Sequence, residues 1–128
     1  VPIQIRFADI DMMGIVHNAV YFHYFEQARL KYFIGELGAN WDWQSKGFIV
    51  AKNSIEYKYP LVLSDRPMVE ITVDTIGTKS FGLTYKVFTE GKEERIHATG
   101  SSTMVCMNNL KKQTIEIPAE IRAFLEAQ

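Results

Sequence analysis

Two aspartates, Asp9 and Asp11, open the run ADIDMMGIVHN, after which the chain passes into a helical pattern at Val20. Gly14 can take the backbone angles that a tight turn demands, so both carboxylates belong to a loop over residues 8–18 that empties into a helix start. Free backbone N–H groups and the positive end of the helix dipole gather at such a point. An ionised carboxylate beside them can attack an electrophile or activate a water. The plainer alternative is an aspartate that stabilises a turn, a common duty of a loop Asp. On the residues alone the two readings weigh equally for Asp11, and the structural one is stronger for Asp9.

Other groups near the loop invite chemistry less strongly. DxDxxG imitates the first half of an EF-hand, but Met13 stands where the third acidic or amide ligand belongs and Val20 where the bidentate Glu belongs, so no metal is expected. Imidazole titrates near pH ~6.5, which makes His17, on the loop, a group that can touch a ligand. His23 shares the polar side of the helix with Gln27 and reads as solvated or as a subunit contact, and His97, in mid-strand, reads as structural. Glu26 and Arg29 have the spacing of a helix-surface pair worth about 0.2–0.5 kcal/mol. Cys106, on an apolar phase, reads as a small buried hydrophobe.

The elements that must hold the loop can be read from hydrophobic period. Ile3, Ile5 and Phe7 alternate with Gln4 and Arg6, predicting a short half-buried strand. Over residues 20–37, Tyr21, Phe25, Ala28 and Tyr32 fall at helical spacing, while Phe22, Tyr24, Phe33 and Ile34 widen the stripe beyond one face; such a helix must be wrapped. Gly35, Gly38 and Asn40 supply its stop. The period then changes to two. Ile49, Ala51, Ile55, Tyr57 and Tyr59 mark a strand closed by Pro60, and Val69, Ile71 and Val73 a second. A third, over residues 81–88, turns Leu83, Tyr85 and Val87 to one face, and a fourth, over residues 94–107, carries Ile96, Ala98, Met104 and Cys106 in phase. Short links at residues 63–66, 77–80 and 90–93 predict sequential antiparallel neighbours. Pro118 followed by Ile121, Phe124 and Leu125 predicts a short amphipathic helix. The sum is an α+β layer pair in which a sheet, curling by its natural twist, wraps one long helix.

Composition bounds the rest. A chain of 128 residues is one domain's worth, so residues 1–128 are read as a single domain. Fourteen Lys plus Arg against fifteen Asp plus Glu leave a formal charge of −1, and no global field draws the chain to nucleic acid or anionic lipid. One cysteine excludes an internal disulfide and a multi-Cys metal site. No apolar run approaches the roughly 18 residues of a membrane span, and VPIQIRF lacks the features of a secretory leader, so a cytoplasmic location is expected.

The segment DIDMMGIVHNAVYFHYFEQAR resembles the loop and central helix of the hotdog-fold acyl-CoA thioesterases of the 4-hydroxybenzoyl-CoA thioesterase type. The matching features are the second Asp of DxD, the glycine three residues on, the apolar pair Ile15 and Val16, and the aromatic helix ending YFEQAR. Lys79-Ser80 in a strand turn and the closing Ile117-Pro118 extend the likeness loosely over the chain. The resemblance implies a hotdog fold, a long central helix wrapped by a curved antiparallel sheet of about five strands. It implies edge-to-edge pairing of two subunits, as a homodimer or a dimer of dimers, with sites between them.

The same resemblance places the catalytic carboxylate at Asp11 and makes Asn18, through its backbone N–H, the best candidate to receive an oxyanion near His17. The expected reaction is hydrolysis of an acyl-CoA thioester to free acid and CoA, with no cofactor beyond the CoA that belongs to the substrate. A carboxylate near its reference pKa of about 3.9 is a feeble base but a fully ionised nucleophile, which favours direct attack over general-base activation of water. A leaving thiolate of pKa about 8.5 needs no strong acid. Gly14, Tyr21, Phe22, Phe25 and Tyr59 are candidates for contact with the acyl end, and Lys58, Lys79, Ser80 and Arg95 for the phosphates. The reading set against this one is a non-catalytic acyl-CoA binder or scaffold subunit, because fold does not fix function.

Overall fold

The computed structural model describes residues 1–91 and 94–128. After a short 3-10 turn at Phe7–Asp9 come α1 (Val20–Leu37), β1 (Gly47–Tyr57), β2 (Met68–Ile76), β3 (Ser80–Thr89), β4 (Arg95–Asn108), β5 (Gln113–Thr114) and α2 (Ala119–Glu126). The strands form one five-stranded antiparallel sheet in the order β1-β4-β3-β2, and β5 pairs with β4 through Met107↔Thr114 and Asn108↔Gln113. Two helices and this sheet are the α+β arrangement that the periodicity predicts. Sequential pairing fails at one place, since β1 lies beside β4 and not beside β2. The link between β1 and β2 contains Pro60 and Pro67 and is too long for a tight hairpin turn. The turn expected at residues 90–93 falls in part on Lys92 and Glu93, outside the described residues.

By packing, the chain falls into two compact units. One consists of Val1–Tyr32, Ile55–Ile71 and Tyr85–Gly100. Here α1 buries Tyr21, Tyr24, Phe25 and Ala28, the i, i+3, i+4, i+7 stripe of an amphipathic helix. Phe25 lies flat on Tyr85 of β3, with ring centroids 4.2 Å apart. Full burial of such a ring is worth about 1.5–3 kcal/mol. The other unit consists of Phe33–Ser54, Thr72–Thr84 and Ser101–Gln128. Its core joins Phe33 to Phe48, Phe81 and Phe124 at centroid distances of 4.8, 5.8 and 5.6 Å. Ile121 and Leu125 of α2 are buried in the same unit. Gly38 adopts φ +85° and donates to the Ile34 carbonyl at 2.8 Å, which ends α1 where the sequence places its stop.

Four expectations are corrected. The N-terminal residues do not form a strand: Ile3 and Ile5 are buried, but pairing stops at a single bridge, Pro2↔Met68, and Phe7 is exposed. The chain leaves the sheet because Asp9 takes the Arg6 N–H and guanidinium and draws residues 6–9 into the 3-10 turn. The apolar stripe of α1 is narrower than its composition implies, with Leu30 and Ile34 exposed. In β4 the phase is broken: Ile96 is exposed while the neighbouring His97 and Ala98 are both buried. The His97 ring is held inside by polar partners, Nδ1 by the Tyr59 and Pro60 carbonyls and Nε2 by the Thr89 hydroxyl, opposite a β-bulge in which the N–H groups of Lys58 and Tyr59 both donate to the His97 carbonyl, at 2.8 and 3.2 Å. Finally, Pro118, a residue suited to a first helical position, stands one residue earlier, at the N-cap of α2.

Candidate active site

The acidic loop is closed on itself before the helix begins. Ile10 and Val16 form an antiparallel bridge, Asp11 N–H donates to the Ile15 carbonyl at 2.8 Å, and Gly14 N–H donates to the Asp11 carbonyl at 3.0 Å. Gly14, at φ +80°, supplies the left-handed residue that the turn requires. Within the turn, one carboxylate oxygen of Asp11, Oδ1, accepts the Met13 N–H at 2.8 Å and the Ile15 N–H at 3.4 Å. The donors are therefore groups of its own loop and not the end of α1, which corrects the idea of a carboxylate sitting on the helix dipole. Oδ2 has no hydrogen-bond partner among the described residues. One oxygen orients the group and the other stays open.

Asp9 is built differently. It is buried, receives the backbone N–H and guanidinium of Arg6, and accepts the Tyr24 hydroxyl at 2.8 Å. Burial opposes its ionisation, but these hydrogen bonds and the Arg6 charge outweigh that penalty and hold the carboxyl below its ordinary value. Burial and the Asp9 charge push the Tyr24 hydroxyl up, so it remains a donor. Asp9 locks the loop to α1.

At the start of the helix three backbone N–H groups are engaged. His17 N–H donates to the Asp9 carbonyl at 2.9 Å, Val20 N–H donates to the His17 carbonyl at 2.9 Å, and Ala19 N–H donates to His17 Nδ1 at 3.1 Å. The His17 N–H is thus removed from the set of donors that a ligand oxygen could use, and its exposed ring serves as a cap. The Asn18 carbonyl accepts the Tyr57 hydroxyl at 2.7 Å, and the Asn18 N–H has no partner among the described residues.

Beside this segment lies a hollow of about 130 Å³ whose wall includes Ile15, Asn18, Tyr21, Tyr57, Lys58 and Tyr59. Of the residues singled out from sequence, it gathers Asn18, Tyr21, Lys58 and Tyr59. Asp11 and Gly14 do not line it; Asp11 is linked to its wall only by accepting the Ile15 N–H at 3.4 Å. Phe25 is fully buried on Tyr85 and fills the core, and Phe22 packs edge-on against Phe25, so neither ring reaches this wall. Lys58 pairs with Glu56 at 2.7 Å. Burial pushes the Tyr21 hydroxyl up to about 12, and burial also raises Tyr57. The alternation over β1 marks Tyr57 only as one apolar position on a strand; nothing in the local pattern points to its hydroxyl bond to Asn18.

Tyr59 and Pro60 also border a larger hollow of about 760 Å³ with Arg95, Thr89 and His97. The Arg95 guanidinium stacks 4.1 Å from the Tyr59 ring centroid. His97 is buried with Nδ1 3.0 Å from the Tyr59 carbonyl and 3.2 Å from that of Pro60. Carbonyls only accept, so Nδ1 carries the proton and the ring pins the end of the β1 segment. Lys79 and Ser80 belong to the other packing unit and line neither hollow. His23 is exposed. Arg29 does not pair with Glu26: it is buried and donates to the Tyr85 hydroxyl at 3.1 Å, a change made because the residue faces β3 and not solvent. Cys106 is buried, and burial raises its thiol to about 11, which fits the inert reading. No helix among the described residues is long and apolar enough to cross a membrane.

The profile of the "Thioesterase-like superfamily" matches residues 5–125. The chain is 28% identical to the long-chain acyl-CoA thioesterase FadM of Escherichia coli K12, over 97% of this chain and 94% of that protein. Among solved structures, the PA5185 protein of Pseudomonas aeruginosa PAO1 is similar with a TM-score of 0.90 at 27% identity, over 98% of this chain and 87% of that one. A thioesterase of Thermus thermophilus, complexed with coenzyme A and Zn, is similar with a TM-score of 0.84 at 29% identity, over 99% and 90% of the two chains.

Proposed function

The chain belongs to the thioesterase-like superfamily and has a hotdog fold, and from that standing we propose that it hydrolyses acyl-CoA thioesters with Asp11 as the reacting carboxylate and Asn18 N–H as the oxyanion donor. The observation that carries this reading is the pairing of two open groups on one short segment: Oδ2 of Asp11 and the N–H of Asn18, each left without a partner among the described residues while Oδ1 of Asp11 and the Asn18 carbonyl are engaged.

In the favoured course Oδ2 attacks the thioester carbon, the carbonyl electrons move to an oxygen received by Asn18 N–H, and collapse breaks the C–S bond to release CoA thiolate. Water then cleaves the mixed anhydride, giving the free acid and restoring Asp11. In the other course Asp11 orients and deprotonates the water directly. Both need the same two groups and no cofactor. The small hollow, of about 130 Å³, can take the reacting thioester and the adjoining part of the acyl group. Aromatic acyl groups, as in the 4-hydroxybenzoyl-CoA type, and aliphatic ones are both compatible with that. Lys58 and Arg95 stand near enough to the hollows to meet phosphates, with Lys79 and Ser80 as further candidates from the family likeness.

A homodimer, or a dimer of dimers, fits the exposure of Ile49 and Val50 on β1, the first strand in the sheet order; a second copy would cover them. Light scattering at micromolar concentration should give at least twice the chain mass, and a monomer would remove this part. The non-catalytic reading draws on one fact, that the Oδ1 bonds of Asp11 are those of an ordinary turn. A panel of aromatic and aliphatic acyl-CoA substrates, read by free-thiol release with Asp11→Asn as control, decides between them. Release by the native chain and not by the variant supports hydrolysis; binding without release from any member supports the binder.

A further inference from the structure

We infer that Tyr57 is a positioning residue for the oxyanion donor: its hydroxyl, by holding the Asn18 carbonyl, fixes the segment that carries the Asn18 N–H at the wall of the small hollow. The inference rests on the role proposed for Asn18 and adds the group that holds Asn18 in place.

The contacts of residues 17–19 separate into two kinds. Three are local: His17 N–H to Asp9, Val20 N–H to His17, and Ala19 N–H to the His17 ring. They engage the far side of both Asn18 peptides, the His17 carbonyl and the Ala19 N–H, but only from within the loop and helix start, and none ties the turn to the sheet. The fourth contact, Tyr57 hydroxyl to Asn18 carbonyl at 2.7 Å, comes from a residue 39 positions away and ties the turn to the sheet. Tyr57 is itself well placed to act as an anchor. It is the last residue of β1, next to the bulge where Lys58 and Tyr59 both donate to the His97 carbonyl. Its ring meets the buried Tyr21, on the first turn of α1, edge-on at a centroid distance of 5.1 Å. A phenol raised by burial stays protonated at neutral pH, so the donor persists through the working range. An oxyanion donor is useful to the degree that it is already oriented before charge develops, because no reorganisation is then needed during reaction.

Tyr57→Phe tests this by deleting the hydroxyl and keeping the ring on Tyr21. Using the acyl-CoA that the native chain hydrolyses fastest, kcat should fall about tenfold, part of the 10²–10³ that loss of an entire oxyanion donor costs. KM should stay within about twofold, since the oxygen's charge exists only in the transition state. Amide hydrogen exchange at Ala19 and Val20, whose N–H groups are bonded within the turn, should be faster in the variant, a readout independent of turnover. A variant with kcat within twofold of native, or with unchanged exchange at both amides, overturns the inference. Asp11→Asn in the same assay separates the failures: full turnover there sinks the catalytic reading, whereas an inactive Asp11→Asn beside a fully active Tyr57→Phe sinks only the role given to Tyr57.

Discussion

Replacing Asp11 by Asn separates the two duties that the structure gives this residue. Asn presents an oxygen of the same size to the Met13 and Ile15 N–H groups, and it is itself a favoured turn residue, so the loop should keep its shape. What disappears is the charge. Hydrogen bonds to an ionised acceptor are about twice as strong as neutral ones, and one of the two here is long at 3.4 Å, so the stability cost is about 1 kcal/mol, or ~3–6 °C in Tm. The effect on chemistry is of another order. The amide cannot attack the thioester from its open side or take a proton from water, and kcat should drop by roughly 10³-fold or more, equivalent to about 4 kcal/mol of transition-state stabilisation. Free-thiol release at saturating acyl-CoA, with thermal melts on the same preparations, reads both quantities. Asp11→Ala, which also loses the turn bonds, should melt lower than Asp11→Asn without being slower. Retention of more than a tenth of the native kcat by Asp11→Asn, at a nearly native Tm, would show that the carboxylate only shapes the turn.

Two further expectations concern the loop's support. The Asp9 carboxyl lies below its ordinary value of 3.8 in the folded chain, so its contribution to stability is complete above that value and is lost as pH falls through the lower folded one. Thermal melts from pH 7 to pH 3 should therefore show native Tm falling below about pH 4, and Asp9→Asn should melt lower at pH 7 with a flatter acid limb; an unchanged limb would refute the assignment. Gly14→Ala meets no atom within 4 Å, so its cost is the strain of φ +80° alone, about 1 kcal/mol or ~3–6 °C in Tm. A variant as stable as the native chain would show that the turn can adopt another shape.

The elements governed by local period were legible in the residues themselves. Aromatic spacing and Gly38 delimit α1 at Val20–Leu37, and simple alternation delimits β2 and β3, because a helix or strand repeats its environment at fixed intervals and a chain must match that repeat to bury apolar surface. The loop and its two aspartates were equally visible, since turn chemistry is local. Which aspartate would be buried was decided by Tyr24 and Arg6 closing on Asp9, and the open oxygen of Asp11 by how its own turn folded. Three other outcomes depended on partners that no sequence interval announces. His97 of β4 is buried beside Ala98 because the Tyr59 and Pro60 carbonyls hold its ring; Arg29 abandoned Glu26 for Tyr85 because that face of α1 is buried; and Tyr57 came to hold Asn18 from 39 residues away. A hydrogen bond between distant residues exists only once the sheet has assembled around it, so tertiary packing, and not residue order, chose which polar groups of the loop were satisfied and which were left open to a substrate.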